Sequence, residues 1–194
     1  MVAELSLVRK RIEENVSVKN ALSIDQNTLN QVVKVAQKCA TSLKLGGKII
    51  LAGNGGSFGD AQHISAEFTS KLMRDRIPLA SIALGTNSSA ISAIANDYGY
   101  EHVFARELQS LGNPNDVVIL ISTSGNSQNI LLAARVAIEN NISVFGLTGQ
   151  HGGLLAQFCE CIEVPSSETA RIQECHILIG HIIVEIAEMS FIEG

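Results

Sequence analysis

No basic block stands out in this 194-residue sequence: 14 lysines and arginines face 19 aspartates and glutamates, for a formal net charge of −5. That balance argues against a surface built to neutralise nucleic-acid phosphates, and leaves room only for a small anion held locally. Nor is there a long apolar run. The longest, Ile177 to Val184, is broken by Gly180 and His181 and is too short to span a bilayer. A leader-like apolar core is missing too, because Arg9, Lys10, Arg11, Glu13 and Glu14 interrupt Val2, Leu5, Val8, Ile12 and Val16. The expectation is a cytoplasmic protein with neither membrane nor nucleic-acid partners. Cys39, Cys159, Cys161 and Cys175 form no C-x-x-C pair and sit among apolar or helical neighbours, which favours reduced, largely buried thiols over a Cys159/Cys161 metal site. Internal repeats, low-complexity tracts and long linkers are also lacking, and the length suits one domain.

What is present begins with two helical patterns. Val2, Leu5, Val8, Ile12 and Val16 recur at helical spacing, then Ser23-x-x-Gln26 reads as a capping box before Leu29, Val32, Val33, Ala36, Cys39, Ala40 and Leu43, with Gly46-Gly47 as the stop. Two such stripes at the front of a small domain either pack on its core or meet a second subunit, so a homo-oligomer is expected. From Lys48 the pattern becomes short apolar runs alternating with helices: 48–52, 78–84, 116–122, 142–147 and 161–164. That alternation predicts a parallel sheet covered on both faces, with ligands gathering beyond the carboxyl ends of its strands.

Two polar loops stand at such ends. Gly53-Asn54-Gly55-Gly56-Ser57 lies between the first strand and a helix expected over about 58–74. It allows close backbone approach to an anion, but is neither a Walker loop nor a dinucleotide fingerprint, and by itself could equally be a tight turn. Ser122-Thr123-Ser124-Gly125-Asn126-Ser127 brings hydroxyls and free helix N–H groups together, which suits a phosphate, although an N-capped turn uses the same residue types. His63 and Glu67 share a helix face four residues apart. On the apolar last helix, expected over about 168–190, Gln173 and His181 lie ~80° apart around the axis, while His176 reads as an ordinary hydrogen-bonded histidine. Together His63, Glu67, Gln173 and His181 offer a donor set for zinc or for acid–base chemistry, though spacing does not show that the two helices meet.

Read in order, these segments, with Asp60-Ala61-Gln62-His63, Ala66-Glu67, Ala95-Asn96-Asp97-Tyr98-Gly99 and Thr169-Ala170-Arg171-Ile172-Gln173-Glu174, closely resemble the phosphoheptose isomerase family across almost the whole chain. The resemblance implies an α/β fold, a three-layer doubly wound parallel sheet of the flavodoxin-like sugar-isomerase (SIS) type. A single SIS domain would fill residues 1–194, its N-terminal helices (about 1–45) contributing to oligomerisation. It also implies a homotetramer with active sites between subunits, interconverting sedoheptulose 7-phosphate and D-glycero-D-manno-heptose 7-phosphate on the way to activated heptoses for surface glycans. By the same likeness, substrate would be held by Asn54, Gly55, Gly56, Ser57, Glu67, Asn96, Asp97, Ser122, Thr123, Ser124, Ser127, Thr169 and Gln173. One zinc per site would be held by His63, Glu67, Gln173 and His181, with Glu67 as base and His181 as acid.

Two stretches depart from the family pattern. Thr69-Ser70-Lys71-Leu72 replaces a Gly-Arg-aromatic sequence, and Phe58-Gly59 replaces small residues; both bear on sugar specificity more than on reaction type. The rival readings are an isomerase of another sugar phosphate and a non-catalytic SIS protein that binds a replication initiator. The latter subgroup lacks counterparts of Glu67 and His181, and both are present here.

Overall fold

The structure is a computed structural model describing residues 1–192. Its five apolar runs become β1 (Ile49–Gly53), β2 (Ser81–Ala83), β3 (Val117–Ser122), β4 (Ser143–Thr148) and β5 (Glu160–Glu163), all parallel, in the order β2-β1-β3-β4-β5. β1 and β3 are buried at every position, as central strands covered on both faces must be. Their side chains alternate between two cores. Ile49, Leu51, Val117, Ile119 and Ile121 face α2 (Gln26–Lys44), α3 (Gly56–Thr69) and α7 (Thr169–Ile192). Ile50, Ala52, Val118 and Leu120 face α5 (Val103–Leu111) and α6 (Gln128–Glu139). The α4 helix (Ser88–Tyr98) lies outside this second layer, with Ile91 and Ile94 only partly covered.

The front of the chain corrects one local expectation. Ser23 does not cap a helix: α1 (Val2–Ile24) runs through it, and Ser23 Oγ donates back to the Asn20 carbonyl. Asp25 is the cap of α2, accepting from the Asn27 amide and the Thr28 hydroxyl, because a carboxylate at the break satisfies amides that a mid-helix serine does not reach. The buried face of α2 is Val32, Val35, Ala36, Cys39, Ala40 and Leu43, the stripe read in the sequence except at its edge, where Leu29 and Val33 are about 40% exposed. Along α1 the stripe Leu5, Val8, Ile12 and Val16 is at least half exposed in every member and finds no cover within the protomer. All four cysteines are free, and only Cys159 is more than marginally exposed.

α7 is the apolar last helix expected over about 168–190. It continues for 24 residues and is long and apolar enough, by length and composition, to cross a membrane. Yet its Ile172, Cys175, Ile179, Ile183 and Val184 are buried in the core with α2 and α3, as in the central helix of a folded domain.

Two contacts fix α7 against α3. At Gly180 the helices come so close that a Cβ would stand 2.7 Å from Ile64 Cγ1 and nearer still to Cδ1. Lower down, Glu188, wholly buried, accepts Arg76 Nε–H at 2.8 Å and the amides of Met73 and Arg74 at 3.1 and 3.2 Å. The Arg76 guanidinium then donates to the Phe68, Ser70 and Ile77 carbonyls and, at 2.9 Å, to that of Glu67. It thereby satisfies carbonyls left open where α3 stops at Thr69, five residues short of the sequence expectation. Residues 70–78 form the loop that carries Arg76 into place, and the strand expected from Pro78 begins only at Ser81.

Gly180→Ala should lower the unfolding free energy by about 1–3 kcal/mol through overpacking. Adding Ile64→Val, which deletes the clashing methyl, should restore part of that loss in denaturant titrations.

Candidate active site

The strand order places a topological switch between β1 and β3, whose neighbours β2 and β4 lie on opposite sides. Gly53 at the end of β1 pairs in register with Ile121, so the glycine loop and the Ser122–Ser127 loop open side by side. Each loop has its own reason for its glycine. A Cβ on Gly53 would stand 2.5 Å from the Ser57 carbonyl oxygen, and Ser57 itself is buried beneath the loop. Gly55 takes φ of 55° and caps α3, leaving it and Gly56 exposed at the helix N-terminus. Gly125 takes φ of 64° and packs on the 149–154 loop so tightly that its Cβ would stand 2.7 Å from the Gly152 carbonyl carbon. That second loop is also tied in by the Leu155 amide on the Gly125 carbonyl (2.9 Å) and the Leu154 amide on Asn126 Oδ1 (2.9 Å).

Of the hydroxyls, Ser122 is buried and lies 3.3 Å from the Ser127 hydroxyl, where α6 begins. Ser124 is exposed and accepts the Asn126 amide, and Thr123 is half-buried with its carbonyl accepting from Gly149. Cationic side chains take no part in these bonds. The loop is suited to an anion through hydroxyls and the free amides of α6.

Beside the loops, α3 and α7 bring together residues that the sequence could only nominate separately. His63 Nε2 is 2.9 Å from His181 Nε2 and 3.4 Å from Glu67 Oε1, with the two rings edge-on. One ligating atom from each of the three lies within 4.8 Å of the others. The cause is the helix crossing: His63 adjoins Ile64 and His181 adjoins Gly180, so the closest backbone approach delivers both imidazoles to one point. Two imidazoles and a carboxylate converging in this way fit a borderline divalent metal such as zinc. Gln173 lies two helical turns earlier on α7, where its amide meets Gly56; a Cβ there would stand 2.6 Å from Gln173 Nε2. Thr169, exposed, opens α7. Asn96 and Asp97 bond each other (2.7 Å) at the exposed end of α4, and the chain then returns through Tyr100, whose hydroxyl reaches Asn54.

Asp60 stands one turn before His63. Burial raises its carboxyl above the ordinary range while His63 pulls it down, and Oδ2 has no hydrogen-bond partner among the described residues. His176 is the hydrogen-bonded core histidine that the sequence suggested: it is fully buried, and because a carbonyl only accepts, its Nε2–H donates to Thr148 O at 3.1 Å. Sequence reasoning missed Asn129, Tyr100 and the Arg76–Glu188 pair. Asn129, two residues after Ser127, is buried against Asn54 with reciprocal 2.9 Å amide bonds. Only the polarity of a residue on the inner side of an apolar helix hinted at it.

A flavodoxin-like strand order with two anion-suited loops at its switch point, flanked by a cluster of two imidazoles and a carboxylate, defines a sugar-phosphate-handling domain. Residues 16–149 match the family model described as the SIS domain. The chain belongs to the phosphoheptose isomerase family. It is 50% identical over 182 residues to the phosphoheptose isomerase of Aneurinibacillus thermoaerophilus, covering 93% of this chain and 92% of that protein. Among solved structures, it is similar to the phosphoheptose isomerase of Neisseria gonorrhoeae (TM-score 0.86, 39% identity, 95% of this chain and 98% of that one). It is likewise similar to that of Francisella tularensis (TM-score 0.90, 32% identity, 96% and 98%).

Burial pushes the His176 imidazole down to about 4 from 6.5, with the Thr148 hydrogen bond opposing. Between those values the unfolded chain holds the proton and the folded chain does not, so this group's support is complete above pH 6.5 and fades as pH falls. Acidification from pH 7 to pH 4.5 should cost about 2–3 kcal/mol through this group. Denaturant titrations of His176→Asn should show that part of the pH slope removed.

Proposed function

We propose that this chain is an aldose–ketose isomerase interconverting sedoheptulose 7-phosphate and D-glycero-D-manno-heptose 7-phosphate, an early step toward activated heptoses. The observation that carries the reading is the meeting of His63, Glu67 and His181 beside the two loops at the β1/β3 switch, in a chain half-identical to a phosphoheptose isomerase. A non-catalytic SIS protein would have no use for that meeting. We read residues 1–194 as one SIS domain, working in the cytoplasm.

The substrate phosphate sits in the Ser122–Ser127 loop, taking hydrogen bonds from Ser122, Thr123, Ser124, Ser127 and the first amides of α6. The sugar then extends along the glycine loop, past Asn54, Gly55, Gly56 and Ser57, with Asn96, Asp97, Thr169 and Gln173 completing its surroundings. Glu67 removes a proton from C1 of the ketose while His181 gives one to the carbonyl oxygen on C2, leaving an enediol. In the second half Glu67 returns a proton to C2 and His181 takes the one on the C1 hydroxyl, which becomes the aldehyde. His63, Glu67 and His181, with Gln173 as fourth donor, would hold a zinc ion, which when bound polarises the sugar's carbonyl oxygen as a Lewis acid. The exposed apolar stripe of α1 supports a homotetramer in which subunits meet near these sites.

With sedoheptulose 7-phosphate in deuterated water, proton NMR should show the aldoheptose phosphate appearing with solvent deuterium at C2. Glu67→Gln and His181→Gln should each fold yet lose about 10²–10⁴-fold in turnover; near-normal rates in both would remove them from the chemistry. Elemental analysis should find zinc in the wild type and a marked loss in His63→Ala, with equal content counting against the metal site. Ile12→Glu in the α1 stripe should shift the mass measured by light scattering toward smaller species.

A further inference from the structure

The side chain of Asn54 is already committed on three sides. Its Oδ1 accepts from Asn129 Nδ2 at 2.9 Å and from the Tyr100 hydroxyl at 3.2 Å, while its Nδ2 donates to Asn129 Oδ1 at 2.9 Å. A primary amide has two lone pairs on oxygen and two N–H bonds on nitrogen. Both lone pairs are therefore occupied and one N–H remains.

We infer that Asn129 and Tyr100 are positioning residues that fix Asn54 as a hydrogen-bond donor to an acceptor oxygen of the sugar phosphate. This rests on the reading of Asn54 as a substrate-binding residue given above. Asn129 suits the task because it is 4% exposed and sits in the first turn of α6, directly behind the Ser122–Ser127 loop. Its reciprocal amide pair with Asn54 couples the β1 loop to the β3 loop, so the two halves of the site hold one spacing. Tyr100 contributes what the amide pair lacks. Its hydroxyl fills the second lone pair of Asn54 Oδ1 and restrains the side chain from a direction the amide pair does not cover. The phenol arrives on the turn after α4, so it also links the Asn96–Asp97 segment to the glycine loop.

The consequence is a loss of ground-state binding rather than of chemistry when either residue is changed. Tyr100→Phe deletes only a hydroxyl from a residue 56% exposed and should melt like the wild type. It should raise KM for sedoheptulose 7-phosphate roughly fivefold, with kcat within about twofold. Asn129→Ala should raise KM about tenfold or more, and Asn129→Asp should do the same, because a carboxylate still accepts from Asn54 Nδ2 but no longer donates to Oδ1. A double-mutant cycle completes the test. If Asn129 acts through Asn54, Asn54→Ala with Asn129→Ala should bind no worse than Asn54→Ala alone. Additive penalties, or a wild-type KM in both Tyr100→Phe and Asn129→Ala, would overturn the inference while leaving the isomerase reading intact. A wild-type KM in Asn54→Ala would overturn it by removing the substrate contact. A wild-type protein that turns over no sugar phosphate would refute the functional reading beneath it.

Discussion

The site depends on one crossing of two helices. Where α7 passes α3, Gly180 has no side chain and Ile64 fills the space, so the backbones approach more closely than any larger residue permits. A histidine of the cluster sits immediately beside each of the two contacting residues. The geometry of the cluster is thus a by-product of core packing: close-packed interiors hold relative positions to fractions of an ångström, and groups at the rim of such a contact inherit that precision. The Arg76–Glu188 pair completes the restraint by holding the carbonyl end of α3, including that of Glu67, against the same partner helix.

The sheet divides the work. Its switch point supplies two backbone-rich loops that suit an anion without any cationic side chain, while the helices of one layer supply imidazole and carboxylate. A phosphate fixed by hydroxyls and amides keeps its position regardless of the protonation of the reacting groups. In the proposed reaction, that separation would let Glu67 and His181 change protonation state without loosening the substrate.

Much of this was legible in the sequence, and the reasons are local. Short apolar runs alternating with helical stretches announced all five strands, as a parallel sheet covered on both faces requires. The two loops were visible because their residue types are locally unusual. His63 and Glu67 could be paired by spacing alone, and His181 joined them only through family likeness. What escaped was a helix boundary and the long-range contacts. The sequence pattern places the α2 cap on Ser23 rather than Asp25, because both residue types satisfy cap preferences and the sequence does not show where α1 breaks. Arg76 and Glu188 are 112 residues apart, and a lone glutamate on an apolar helix gives no sign of its partner. Gly180 did carry a signal, being a glycine within an otherwise apolar helix, but its meaning needs the opposing Ile64.

The buried Arg76–Glu188 pair also shapes how this sequence can drift. Either charge left alone in the core would stand unsolvated and unpaired, a loss of about 3–5 kcal/mol, and joint apolar replacement would strand the Met73 and Arg74 amides and the α3 carbonyls that the pair satisfies. Single and joint apolar substitutions at the two positions are therefore both barred while the chain from 70 to 78 keeps its path. The pair should persist among descendants that keep that loop, independently of whether the sugar they act on has changed.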